Sequence, residues 1–190
     1  MSPTVDILIV GVGGQGILLA GELISEAALE AGYDVKKSEV HGMAQRGGAV
    51  SSHVRIGEKV FSPLIPLGQA DVLLAFEKAE ALRWVHFVKP SGRVIVNDMK
   101  WVPPNALLKD AVYPPDPIGS IRQRVPDVRV VRAHDMAKSL GLFRAANMVL
   151  VGAVSLNLDI HDSVWERIIK KKVPQGTEEL NWRAFQQGRT

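Results

Sequence analysis

Two short stretches of this 190-residue chain gather the residues best suited to chemistry. The first, GVGGQGILLAG (Gly11–Gly21), sets five glycines into eleven residues directly after the apolar run Val5–Val10. Glycine is costly to order, so a cluster at a strand–helix junction implies that something approaches the backbone closely. Gly11, Gly13 and Gly16 match the G-x-G-x-x-G spacing. In that motif the first glycine permits a tight turn, the second admits a pyrophosphate, and the third packs the helix on the strand. N–H groups freed at the helix start would meet the anion. Glu39, 23 residues beyond Gly16, stands near the place of an acidic ribose-binding residue. The extra Gly14 and the polar Gln15 depart from that fingerprint, so two readings stay open: a dinucleotide site, or a close-contact surface for another ligand or a partner. No Lys-Ser or Lys-Thr follows the glycines, which excludes a P-loop.

The second stretch is Gln45-Arg46-Gly47-Gly48, preceded by His41 and Gly42. A guanidinium beside two glycines with unshielded N–H groups makes an anion site, and strand ends of an open α/β sheet are where ligands bind. The bland reading, a turn whose arginine pairs with a surface carboxylate, is equally open. His41 and His53 have no cysteine or carboxylate at ligand spacing, which argues against a metal. His86, His134 and His161 each stand alone, and no G-x-S-x-G elbow is present. Asn147, inside an apolar segment, is expected to make a structural hydrogen bond. No catalytic residue can be named from spacing.

The elements that must position these stretches follow from periodicity. Val5–Val10 reads as a buried strand and 14–31 as an amphipathic helix, with Ile17, Ala20, Ile24, Ala27, Ala28 and Ala31 on one stripe and Glu22, Glu26 and Glu30 outward. Gly32 stops the helix, and residues 33–40 supply a second strand, giving a βαβ start. Residues 49–56 alternate as a half-exposed strand, and Gly57-Glu58-Lys59 predicts a hairpin into Val60-Phe61. Further strands are expected at 71–76, 93–97 and 128–131, the second preceded by a turn at Pro90-Ser91-Gly92. Helices are expected at 77–88, 135–140, 143–156, 162–172 and 177–187. Prolines 103, 104, 114, 115, 117 and 126 predict a long loop with short elements. The sum is one α/β domain over 1–190: a Rossmann-like open twisted sheet, mostly parallel, with helices on both faces and a β-hairpin near 49–62.

Composition narrows the function. The apolar share of 46% and charged share of 23% are those of a globular chain, and no apolar run is long enough for a membrane span. Met1-Ser2-Pro3-Thr4 does not start a signal peptide, so a cytoplasmic location is expected. The net charge of +3 suits an anionic ligand, but aromatic residues at 6% offer no stacking platform for nucleic acid. Lys170-Lys171-Lys172 sits where a helix should end and complements its dipole. Trp165, Ile168, Ile169, Leu180, Trp182 and Phe185 form either core or a subunit interface, with the interface favoured. There is no cysteine, so the chain carries neither an iron–sulfur cluster nor a redox thiol.

In this order, GVGGQGILLAG, HGMAQRGGAVSSHVRIG (41–57), DVLLAFE (71–77), NMVLVGAVS (147–155) and NWRAFQQG (181–188) resemble the gamma-type domain of the 2-oxoacid:ferredoxin oxidoreductases over nearly the full chain. The His-Gly-Met-Ala-Gln-Arg-Gly-Gly form is most similar to the beta subunits of the indolepyruvate branch. The resemblance implies a single pyruvate/ketoisovalerate oxidoreductase gamma-type catalytic domain that works with a larger subunit. That partner would hold thiamine diphosphate, magnesium and the iron–sulfur clusters. The complex would convert an aryl pyruvate and coenzyme A to aryl-acetyl-CoA and CO2, passing electrons to ferredoxin. The chain itself has no Gly-Asp-Gly segment with downstream asparagines to hold thiamine diphosphate.

The site expected from these readings comprises Gly11, Gly13, Gly14, Gln15, Gly16, His41, Gly42, Gln45, Arg46, Gly47 and Gly48, binding substrate, coenzyme A or partner, with no metal and no cofactor held by this chain alone. The two loops should meet at the carboxyl edge of the sheet. A free-standing NAD- or FAD-dependent oxidoreductase is the alternative, and a non-catalytic anion-binding module the third reading.

Overall fold

The computed structural model describes residues 4–41, 47–101 and 113–190. Six strands, β1 (Val5–Val12), β2 (Asp34–His41), β3 (Ala49–Gly57), β4 (Ala70–Ala75), β5 (Val88–Asn97) and β6 (Asp127–Val131), form one sheet in the order β2-β3-β1-β4-β5-β6. All run the same way except β3, which is antiparallel to both its neighbours. The helices are α1 (Ile17–Glu30), α2 (Lys78–Trp84), α3 (Pro117–Arg122), α4 (Ala133–Ser139), α5 (Ala146–Ser155), α6 (Asp162–Lys172) and α7 (Glu178–Gly188). None among the described residues is long and apolar enough to cross a membrane.

The continuous apolar run of β1 is explained by cover on both faces, since side chains alternate across a strand. Ile7 and Ile9 point into a core shared with α1, α4, α5, α6 and α7, whereas Leu8 and Val10 point into a second core with α2 and α3. Helices therefore lie on both faces of a mostly parallel sheet, as expected.

Three local expectations are corrected. First, β2 is not the neighbour of β1: β3 lies between them, pairing Ile9 with Ser52 on one side and Ser52 with Glu39 on the other. Second, there is no hairpin at 57–62. Both edges of β3 are already occupied, and the chain beyond Gly57 is held differently: the Val60 N–H donates to the Asp34 carboxylate at 2.8 Å, and Arg55 donates to the carbonyls of Ser62 and Leu64. Ser51 and His53, on the face of β3 expected to be half exposed, are buried, and the Ile65 N–H of that segment donates to His53 Nδ1 at 3.2 Å. Third, Pro90-Ser91-Gly92 lies inside β5, where a register irregularity opposite Ala70 and Val72 absorbs it.

The bulky C-terminal residues are core rather than interface. Trp165 and Phe185 are fully buried, Trp182 stacks on Phe185 with ring centroids 5.1 Å apart, and Ile168 and Ile169 pack beneath them. Lys172 does more than face a helix dipole: it reaches α1 and pairs with Glu22, at 2.6 Å, and with Glu26, while Arg167 pairs with Glu30. The acidic row of α1 thus faces α6.

Helices α5 and α7 touch through backbone. A Cβ on Gly152 would collide with the Phe185 carbonyl, and one on Gly188 with the Val149 carbonyl. Such backbone cannot yield as a side-chain tip would. Gly152→Ala is expected to separate the two helices and cost about 1–3 kcal/mol of stability, the usual range for overpacking. Thermal unfolding by circular dichroism would show it as a drop of several degrees.

Candidate functional site

The glycine stretch turns the chain from β1 into α1 at the carboxyl edge of the sheet. Gly14 and Gly16 have φ of +99° and +88°, values that strain any side-chain-bearing residue. A Cβ at Gly16 would also press on the Asn147 carboxamide. Gln15 folds back, and its Oε1 accepts the Val12 N–H at 2.8 Å, which ties the turn to the end of β1.

The second stretch arrives beside the first. The Gly13 N–H donates to the Gly48 carbonyl at 2.8 Å, and the Gly47 N–H to the Gly13 carbonyl at 3.4 Å. Gly13, Gly14, Gln15, Gly16, Gly47 and Gly48 are therefore brought together. Gly11 is not on that surface: it is buried in β1 opposite Val50, where a Cβ would meet Gln15, Phe76 and Ile17. His41 ends β2, paired with Val50. Gly42, Gln45 and Arg46 lie outside the described residues.

Across from the loops, the ends of the parallel strands are joined by one buried carboxamide. Asn97 Oδ1 accepts the Ala133 N–H at 3.2 Å, and Nδ2 donates to the Phe76 carbonyl and to His134 Nδ1, each at 3.2 Å. Because Oδ1 must accept an N–H, the amide has one possible orientation. His134 Nδ1 then has to be the acceptor, and the ring proton sits on Nε2. Burial holds this imidazole below its ordinary value of 6.5 against an opposing effect of Asp135, so the ring is neutral near pH 7.

Glu77, fully buried after β4, anchors the neighbouring wall. Its Oε2 accepts the Glu80 N–H at 2.9 Å as the cap of α2; Oε1 accepts the Trp101 N–H at 3.2 Å and the Tyr113 hydroxyl at 2.5 Å. Burial, with Glu77 as hydrogen-bond acceptor, pushes the Tyr113 hydroxyl well above its usual range.

Together these pieces enclose a cleft of about 690 Å³ at the carboxyl edge. It lies where the strand order reverses between β1 and β4, the place ligands occupy in open α/β sheets. Gly13–Gly16 and Gly47 form one lip; Asn97, His134 and Asn147 form the polar floor and far side; Phe76, Met99, Trp101, Phe143 and Leu150 give apolar wall. Arg144 is the lining cation, and no carboxylate lines the cleft among the described residues. No group of three potential metal ligands is found among those residues.

Residues 6–190 match the family described as pyruvate ferredoxin/flavodoxin oxidoreductase. The chain belongs to this family.

Its relatives within the family are subunits of oxidoreductases. The chain is 41% identical to the indolepyruvate oxidoreductase subunit IorB of Archaeoglobus fulgidus, over 96% of this chain and 92% of that one. It is 31% identical to the 2-oxoglutarate synthase subunit KorC of Methanothermobacter marburgensis, over 97% and 94%. The crystal structure of a keto/oxoacid ferredoxin oxidoreductase gamma subunit from Geobacter sulfurreducens superposes with a TM-score of 0.71 at 29% identity, covering 97% of this chain and 95% of that one. The same fold recurs in the 2-oxoglutarate:ferredoxin oxidoreductase of Magnetococcus marinus at a TM-score of 0.74 and 21% identity, where it spans 31% of a longer polypeptide. This member of the family is a small subunit of a 2-oxoacid:ferredoxin oxidoreductase.

From sequence, Asn97 is expected only as part of a strand, His134 as an isolated histidine, and Asn147 as the maker of a structural hydrogen bond. Asn147 does make such a bond, its Oδ1 accepting the Met148 N–H at 2.9 Å. A polar residue closing a buried strand, as in Val94-Ile95-Val96-Asn97, was the available signal.

The histidines give a pH prediction. Burial lowers both His53 and His134 in the folded chain, so below 6.5 the unfolded chain binds more protons and folding stability falls on acidification. Glu80, raised by burial, acts in the opposite sense above 4.5, so the readout is a difference. Urea unfolding should show a smaller loss between neutral and mildly acidic pH for His134→Gln than for wild type.

Proposed function

We propose that this subunit belongs to the indolepyruvate branch and supplies the lid of an active site housed mainly on a larger partner. The complex would oxidatively decarboxylate an aryl pyruvate, transfer the arylacetyl group to coenzyme A, and pass the electrons to ferredoxin in the cytoplasm. The whole chain, 1–190, would act as one gamma-type domain.

The observation that carries this reading is the pair of abutting glycine loops, hydrogen-bonded through Gly13 and Gly48, at the mouth of a cleft lined by neither nucleophile nor carboxylate among the described residues. Identity to indolepyruvate subunits of 36–41% supports the choice of branch. The Magnetococcus marinus enzyme is described with 2-oxoglutarate, coenzyme A and succinyl-CoA bound, in keeping with coenzyme A as co-substrate.

Iron–sulfur clusters do not fit this chain's donors, and the family resemblance puts thiamine diphosphate and magnesium on the partner as well. The chain has no cysteine, and its described residues bring no three ligating side chains together. Those groups are therefore assigned to the partner. What this chain contributes is positioning: amide N–H groups of the loops and the first turn of α1 for phosphate oxygens, with Arg46 adding positive charge, and exclusion of water by the apolar wall. His41, Gly42 and Gln45 would complete that surface.

The dinucleotide alternative is disfavoured by the sheet order. Insertion of β3 places Glu39 one strand farther from β1 than a ribose-binding acid requires, and Glu39 pairs with Lys37 at 2.8 Å.

Purification from the native source should yield this chain with a larger, brown, cysteine-rich subunit, and the pair should reduce ferredoxin with indolepyruvate and coenzyme A while the small chain alone does not. Turnover of a nicotinamide substrate by the isolated chain would overturn the reading. In the assembled enzyme, Arg46→Ala should raise the KM for coenzyme A by about tenfold, the effect of one charge-assisted hydrogen bond.

A further inference from the structure

The polar side chains lining the cleft share one property: the protein itself engages their acceptor atoms. Gln15 Oε1 takes the Val12 N–H, Asn147 Oδ1 the Met148 N–H, Asn97 Oδ1 the Ala133 N–H, and His134 Nδ1 the Asn97 amide. Each carbonyl faces a backbone donor, so no amide can turn over without opposing N–H to N–H. What remains for a ligand is donors. The Gln15 amide has only the Met99 thioether at 3.6 Å, a weak acceptor, and Asn147 Nδ2 and His134 Nε2 have no partner among the described residues. The guanidinium of Arg144, without an ion pair among those residues, stands at the rim.

We propose that Gln15, Asn147 and His134 form an uncharged donor array that recognises an oxyanion, phosphoryl or carboxylate, carried on an apolar body. Asn97 is the positioning residue that fixes the imidazole tautomer. The proposal deepens the reading of the cleft as a ligand site and rests on it. Its distinct content is selection by polarity: a group that presents its own N–H would face donors, and a site built to hydrogen-bond one partner rejects an analogue that cannot reciprocate. Phe76, Phe143 and Leu150 supply the apolar wall for the attached body.

The full-length chain, labelled with nitrogen-15, is titrated with three probes: inorganic pyrophosphate, phenylacetate and phenethylammonium. Pyrophosphate or phenylacetate should move the Gln15 and Asn147 side-chain amide signals and the His134 Nε2–H; phenethylammonium should not. Pyrophosphate alone would identify a phosphoryl group, and phenylacetate alone a carboxylate. Silence of these signals toward both anions, or an equal response to the ammonium probe, would overturn the proposal.

Asn147→Asp keeps the acceptor for Met148 but replaces the donor with an acceptor. It should weaken the bound anion at least tenfold at both low and high salt. A loss that vanishes at high salt is charge repulsion alone and counts against the array. Should this variant lose its circular-dichroism signature, His134→Phe carries the test, since it keeps the ring contact with Phe143, 4.8 Å between centroids, and removes the donor; it should again weaken the anion about tenfold, and unchanged affinity overturns the proposal. Failure to find a larger partner would refute the reading of the complex and leave these binding results standing.

Discussion

A buried carboxamide with three neighbours and one allowed orientation governs the carboxyl edge of this sheet. Asn97 joins the carbonyl of Phe76 at the end of β4, the N–H of Ala133 at the start of α4, and the ring of His134. The Phe76 carbonyl and the Ala133 N–H are buried, and leaving either unmet would cost about 1–3 kcal/mol. The same amide therefore fixes where three elements end and which nitrogen of the imidazole carries a proton. Local order at this edge and the polarity of the imidazole that faces the cleft are set by one side chain.

The lip opposite depends on the antiparallel strand. Without β3 between β1 and β2, the segment leading out of β2 would not return beside Gly13, and the Gly13–Gly48 hydrogen bond could not form. The insertion has a second effect: it carries the end of β2 away from the glycine turn, so a strand–glycine–helix start that looks like a dinucleotide motif is recast as a two-loop rim. Gln15 completes the change by placing its side chain inside the turn, against Val12.

The sequence made the inner strands legible because double-sided burial leaves an uninterrupted apolar run in β1 and β4, and α6 because its apolar stripe and polar face follow the helical period. What it misled on is non-local. The hairpin at 57–62 looked right locally, yet a strand whose two edges are already paired cannot accept a third. The aromatic cluster of Trp165, Trp182 and Phe185 suits a core and an interface equally well, and only the crossing of α5 and α7 through Gly152 and Gly188 decides it. The glycine turn was found from its spacing; Asn97 and His134 were not, because a pair separated by 37 positions leaves no periodic trace. The helix expected at 14–31 begins at Ile17, since Gly14 and Gly16 adopt left-handed backbone.

The segment covering β3 is held taut at Asp34, His53 and Arg55, yet it leaves Phe61 85% and Leu67 66% exposed, with Leu64 between them also in water. The anchors hold its backbone against β3 while these side chains stay outside the core. A polypeptide so built carries a standing colloidal cost whenever it is made alone: contacts between copies through this stretch would strengthen in sulfate, which favours apolar association, while ionic contacts weaken.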